Sequence, residues 1–153
     1  MSTRSLTRAG VIGALYVLLS IPAFLPFLTI SGFQIRPAEA LTVLPILLPE
    51  AIPGLFVGCI LANLLAGLGP VDVVCGSLVT LLAAYLTYRF RESWLAYSWP
   101  IVLNAFLVSL YLQVFFKVPY WPLVGSILVT EGAVVLLLGI PLIYYLKRNQ
   151  SQK

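Results

Sequence analysis

Glu131 stands in the middle of Leu123 to Leu146, a run that is otherwise almost wholly apolar. On insertion scales a carboxylate at that depth costs about 2.5 to 3.5 kcal/mol, so it must face a cavity or a partner, and such groups usually mark a solute or ion pathway. A protonated acid bonded to a neighbouring helix is the purely structural alternative. A second polar group lies in Gly32 to Pro53, GFQIRPAEALTVLPILLPEAIP, where Gln34, Arg36, Glu39 and Glu50 interrupt apolar sequence. An ionised carboxylate accepts two parallel N–H bonds from an amidine-like edge, as it does from arginine. Carboxylates, amides and aromatics facing one side therefore suit a planar, donor-rich solute, cationic or neutral.

The remaining candidates each have a bland reading beside the functional one. Arg36 and Glu39, three apart at a helix start, also suit a local ion pair worth a few tenths of a kcal/mol. Asn63, Asn104 and Gln113 suit interhelical hydrogen bonding, and Asn104, placed near the cytoplasmic end of its segment, is the weakest pocket candidate by depth. Asp72 either caps the helix after it or binds the solute. Tyr111 and Tyr120 are the aromatics best placed to stack on a ligand, whereas Trp94, Trp99 and Trp121 suit an interface belt.

Other chemistries are excluded. Histidine is absent and the two cysteines, Cys59 and Cys75, lie in apolar segments. No metal site, resident cofactor or Ser/His or Cys/His catalytic set can be assembled, so no enzymatic activity is expected. The cysteines read as reduced packing residues, with a disulfide between them the lesser alternative. No lysine sits in a G-x-x-x-x-G-K context, so ATP hydrolysis is not built into the chain. The net charge of +4 comes from single or paired basic residues beside apolar runs, which are topology determinants and not a nucleic-acid surface.

The elements that must position these residues are membrane helices. With 61% hydrophobic and only 9% charged residues in 153, the chain reads as an all-α integral membrane protein, a single transmembrane domain with no soluble part. Six spans are expected, at about 9–28, 37–49, 53–67, 71–88, 99–116 and 123–146. The N-terminal apolar run continues past any small-residue cleavage site and is expected to be retained as the first span. Ser5 or Thr7 could cap it, Pro22 and Pro26 loosen its end, and Gly32 permits the next turn. Pro37 opens the second span with Glu39 near its positive end.

Small residues recur four apart. Ala9 with Gly13 and Gly10 with Ala14 leave strips of the first span nearly bare, and Gly54, Gly58, Ala62 and Ala66 do the same on the third. Such strips let helices approach closely in lipid, either within the chain or against a separate subunit. If the N-terminus is cytoplasmic, Arg4, Arg8, Arg89, Arg91, Lys147, Arg148 and Lys153 all lie inside, leaving Arg36 and Lys117 outside. The positive-inside rule favours that orientation, with both termini cytoplasmic and a polar pocket open outward.

The run FQIRPAEALTVLPILLPEAIPGLFVGCILANLLAGLGPVDVVCGSLVTLLAAYLTY, with LNA at Leu103 to Ala105 and the Glu131-Gly132 pair, resembles the queuosine-precursor transporter (QueT) family. The resemblance spans nearly the whole chain and is densest from Gln34 to Tyr88. It implies the substrate-binding S component of an energy-coupling factor (ECF) importer, multi-pass in a bacterial plasma membrane. Such a protein captures a 7-deazaguanine such as 7-aminomethyl-7-deazaguanine and works with a transmembrane T component and two ATPase subunits. Under that resemblance Gln34, Arg36, Glu39, Asn63, Asp72, Tyr120 and Glu131 are expected to bind substrate. One of the pairs Ala9/Gly13 and Gly10/Ala14 is expected to meet the T component. The rival expectation is a stand-alone proton-coupled carrier that uses Glu131.

Overall fold

The computed structural model describes residues 2–21, 29–30, 33–67 and 69–150, and the side chains of all of these except 29–30, 33–34 and 150. Helix α1, Thr3–Ser20, begins earlier than the apolar run because Ser2, and neither Ser5 nor Thr7, caps it, its Oγ accepting from the Ser5 amide at 3.3 Å. Pro22, Pro26 and Gly32 lie outside the described residues. Two-residue strands β1 (Thr29–Ile30) and β2 (Phe33–Gln34) pair antiparallel, with Thr29 opposite Gln34 and Ile30 opposite Phe33. Every other regular element among the described residues is a helix.

After β2 comes a 3-10 helix, Pro37–Ile46. Pro37 occupies its first turn, and Pro45 inside it would clash with the carbonyl four residues back in an α-helix. The tighter winding advances about 2.0 Å per residue, so ten residues reach about 20 Å where an α-helix would reach about 15 Å. All residues from Ala38 to Ile46 are buried. This short helix is the axis of the bundle. It packs against α1 and most of the later helices through the core of Ile12, Tyr16, Leu41, Val43, Leu44, Leu55 and Val135.

Helix α2 (Ala51–Leu65) lies against α1 at backbone contact. A Cβ on Gly54 would come 2.5 Å from the Ala9 carbonyl oxygen, one on Gly13 2.9 Å from that of Gly54, and one on Gly58 2.9 Å from that of Gly13. Only small residues fit such a crossing. At the start of α2, Arg8 Nη1 bonds Glu50 Oε1 at 2.9 Å, and this contact holds the Glu50 carboxyl below its ordinary range.

Three helices carry π turns. Asp72–Gly76 leads into α3 (Ser77–Arg89). Helix α4 (Leu95–Leu103) continues through Asn104–Val108 into α5 (Ser109–Phe116), and Lys117 ends it in the left-handed conformation. Helix α6 (Tyr120–Val134) continues through Val135–Gly139 into α7 (Ile140–Gln150). The two continuous rods, Leu95–Phe116 and Tyr120–Asn149, are long and apolar enough to cross a membrane, while Pro37–Ile46 and Ala51–Leu65 are shorter apolar helices. Outward-facing Val57, Leu61, Leu78, Val114, Val129 and Leu137 give the bundle an apolar exterior, the surface that lipid contact requires.

Candidate functional site

A cavity of about 300 Å³ opens between the 3-10 helix, α2, α3, α5 and α6. Its ionisable lining is three acids, Glu39, Asp72 and Glu131, and one guanidinium, Arg36. Polar groups collect at two ends.

At one end, Glu39 is buried and both its oxygens are engaged. Oε1 accepts from the Tyr16 hydroxyl at 2.7 Å, and Oε2 accepts from Asn104 Nδ2 at 3.4 Å. The same nitrogen donates to Glu131 Oε1 at 2.9 Å, so one amide spans two acids. Glu131 Oε2 is buried with no partner among the described residues. A buried acceptor left unmade costs about 1 to 3 kcal/mol, more if charged. This end of the cavity therefore holds a polar atom free to hydrogen-bond an incoming group.

At the other end, Asp72 Oδ1 accepts from the Tyr111 hydroxyl at 2.9 Å, and Asn63 Nδ2 donates to the Asp72 carbonyl at 2.9 Å. Thr80 donates to the Gly76 carbonyl at 3.1 Å and to Cys59 Sγ at 3.4 Å. Gly76 permits a close approach in this corner: a Cβ there would sit 3.1 Å from Asn63 Nδ2 and 3.4 Å from the Tyr111 hydroxyl. Asn104 and Tyr111 belong to one continuous helix, which puts the two ends about 10 Å apart.

The π turns explain how these side chains reach the cavity. Each inserts an extra residue into a turn and rotates the helix beyond it, and such turns are frequent at functional sites. One begins at Asp72, one begins at Asn104, and the third comes just after Glu131, whose carbonyl accepts from the Val135 amide.

Of the residues singled out in the sequence, Arg36, Glu39, Asn63, Asp72 and Glu131 all line the cavity. Gln34 lies on β2, and its side chain is outside the described residues. Tyr120 does not line the cavity; its hydroxyl donates to the Phe106 carbonyl at 3.4 Å and its ring meets Trp121 edge-on. Among the described residues no ion pair joins Arg36 to Glu39, because Arg36 is extended (φ −104°, ψ 101°) just outside the helix and the Glu39 oxygens are taken by Tyr16 and Asn104. Asp72 stands in the first turn of its helix, where an acid is favoured, but among the described residues its carboxylate bonds only the Tyr111 hydroxyl. Cys59 and Cys75 are free thiols. Among the described residues no group of three or more Cys, Asp or Glu could hold a metal.

The small-residue strips separate. Ala9 and Gly13 are buried against α2, whereas Gly10 and Ala14 are exposed and a Cβ on Gly10 would meet nothing within 4 Å. Asn104 corrects the reading by depth. The helix starts at Leu95 and not Trp99, which places Asn104 near the middle of a 22-residue rod and against both acids. Tyr16, Thr80 and Thr130 also line the cavity, beyond the residues expected from the sequence. For Tyr16 a signal is present: Ala9, Ile12, Gly13 and Tyr16 keep the helical period and form the buried stripe of α1.

A family model described as QueT transporter matches residues 6–148, nearly the whole chain. No curated protein and no solved structure matches it.

Proposed function

The chain belongs to the QueT transporter family, and from that premise we propose that it is the substrate-binding S component of an ECF-type importer for a queuosine precursor, a 7-deazaguanine. The observation that carries this reading is the pair of carboxylates, Glu39 and Glu131, sharing the Asn104 amide, with one buried Glu131 oxygen unpartnered among the described residues. A guanine-like edge presents two adjacent N–H donors, and a carboxylate accepts such a pair in parallel. Glu131 takes that edge, Glu39 holds Asn104 and Tyr16 in place, and Arg36 at the cavity wall bonds the exocyclic oxygen. Asn63 completes the polar set.

In this reading the six helical segments all span the membrane, both termini are cytoplasmic, and the cavity receives its solute from outside. The T component and two ATPases supply the energy, and the exposed Gly10/Ala14 strip is the surface that meets the T component.

Calorimetry with purified protein and 7-aminomethyl-7-deazaguanine tests the assignment. Glu131→Gln and Glu39→Gln are each expected to weaken binding by about tenfold or more, the scale of a hydrogen bond to a charged group. Wild-type affinity in both variants would overturn it. Uptake into liposomes should need the T component, the ATPases and ATP. Uptake by this chain alone under a pH gradient would instead favour a proton-coupled carrier using Glu131.

A further inference from the structure

Within the proposed site the two ends of the cavity do different work, and we infer that Asp72 is the residue that reads the substituent on the base, selecting a cationic arm over a neutral one. The inference rests on the 7-deazaguanine reading above but makes a separate claim. Among the described residues Asp72 is the only carboxylate at its end of the cavity, about two helical turns from the Glu39, Asn104 and Glu131 cluster. Its Oδ1 is held by the Tyr111 hydroxyl, which fixes the carboxylate without neutralising it.

Three features make this end a receptor and not a structural contact. The Asp72 carboxylate lines the cavity, and among the described residues its one side-chain hydrogen bond comes from Tyr111 on a different helix. Gly76 lets the tips of Asn63 and Tyr111, the two side chains that bond Asp72, pack close beside it. The partly filled hydrogen-bond set at the opposite end, with Glu131 Oε2 unpartnered, already accounts for the flat donor edge. A bicyclic base anchored there directs its opposite rim toward Asp72. An ammonium on a one-carbon arm meets the carboxylate at that rim, whereas a nitrile or methyl group offers no donor. Tyr111 is then a positioning residue that aims the carboxylate.

The test compares binding of 7-aminomethyl-7-deazaguanine and 7-cyano-7-deazaguanine to the purified full chain. The wild type is expected to bind the cationic base about tenfold tighter or more, since the arm adds one charge-assisted bond. Asp72→Asn should bring the two within about threefold by weakening the cationic base alone. Glu131→Gln should weaken both by a similar factor and keep their ratio. If Asp72→Asn does not fold, Asp72→Ser provides the same comparison. An unchanged ratio in the Asp72 variants, or a ratio lost in Glu131→Gln, would overturn the inference and leave the substrate class intact. If neither base binds the wild type, the substrate reading itself falls.

Discussion

Between α1 and α2 the backbones touch, while α3, α5 and α6 line a cavity of about 300 Å³. Both regions use glycine for close approach, but to different neighbours. Gly13, Gly54 and Gly58 remove side chains so that two helices close up, and carbonyl oxygens fill the vacated space. Gly76 removes one so that two polar side-chain tips, those of Asn63 and Tyr111, can come close at the cavity wall. The first region has regular α-helical turns throughout, whereas the second has a π turn in each of its helices. Regular turns hold the small-residue face in line over several residues, and interrupted turns bring isolated polar side chains onto an otherwise apolar face. The bundle thus has a closely packed pair of helices and, beside it, a cavity lined with polar side chains.

The same substitution in each region should separate them. Gly54→Ala drives a Cβ against backbone that cannot rotate away and is expected to cost about 1 to 3 kcal/mol of stability, the range for overpacking, read as a lower melting temperature in detergent. Gly76→Ala meets only side-chain ends, so its melting temperature should be unchanged or raised while ligand affinity falls. Equal destabilisation by both changes would dissolve the distinction. A smaller effect concerns the outward strip. Gly10→Leu should leave the melting temperature of the isolated chain within the usual range of about 0.5 kcal/mol for a surface change, yet prevent co-purification with a T component. A folding defect there would place Gly10 in the core.

The smallest expected effect is at the tie between the two tightly packed helices. Because Arg8 holds the folded-state pKa of Glu50 below its ordinary value, the stabilisation is present above the ordinary glutamate range. It is lost as pH falls through the depressed folded value, and the slope has the sign of an acid that binds fewer protons when folded. With Arg8 half-exposed, the pair is worth about 0 to 1 kcal/mol. Thermal melts of wild type and Glu50→Gln should differ slightly at neutral pH and converge in acid. A difference that grew in acid would reverse the assignment.

Much of the cavity's polar lining is legible without the fold. Glu39, Asp72, Glu131, Arg36 and Asn63 stand out because a polar group in apolar sequence is costly, and cost depends on residue type and local context alone. The depth of Asn104 is not legible in the same way, because depth is counted from a helix start, and an apolar stretch does not mark its first turn sharply. Tyr120 misleads for the opposite reason, since its position near a loop says nothing of which way its ring turns. The 3-10 winding of Pro37–Ile46 also escapes a reading of hydropathy, although Pro37 and Pro45 both stand in the segment.

By itself the sequence determined the membrane habit, the order of the hydrophobic segments, the inventory of acids and amides, and the family. Each comes from composition, hydropathy and residues near one another along the chain. Only the tertiary structure decided that Ala9 and Gly13 turn inward while Gly10 and Ala14 turn outward, that one amide joins Glu39 to Glu131, and that Tyr111 holds Asp72. Those outcomes depend on how far each helix is rotated about its axis, and every residue of offset swings a side chain by about 100°. The rotation is set by close packing at α1 and α2 and by the π turns elsewhere, contacts between residues tens of positions apart.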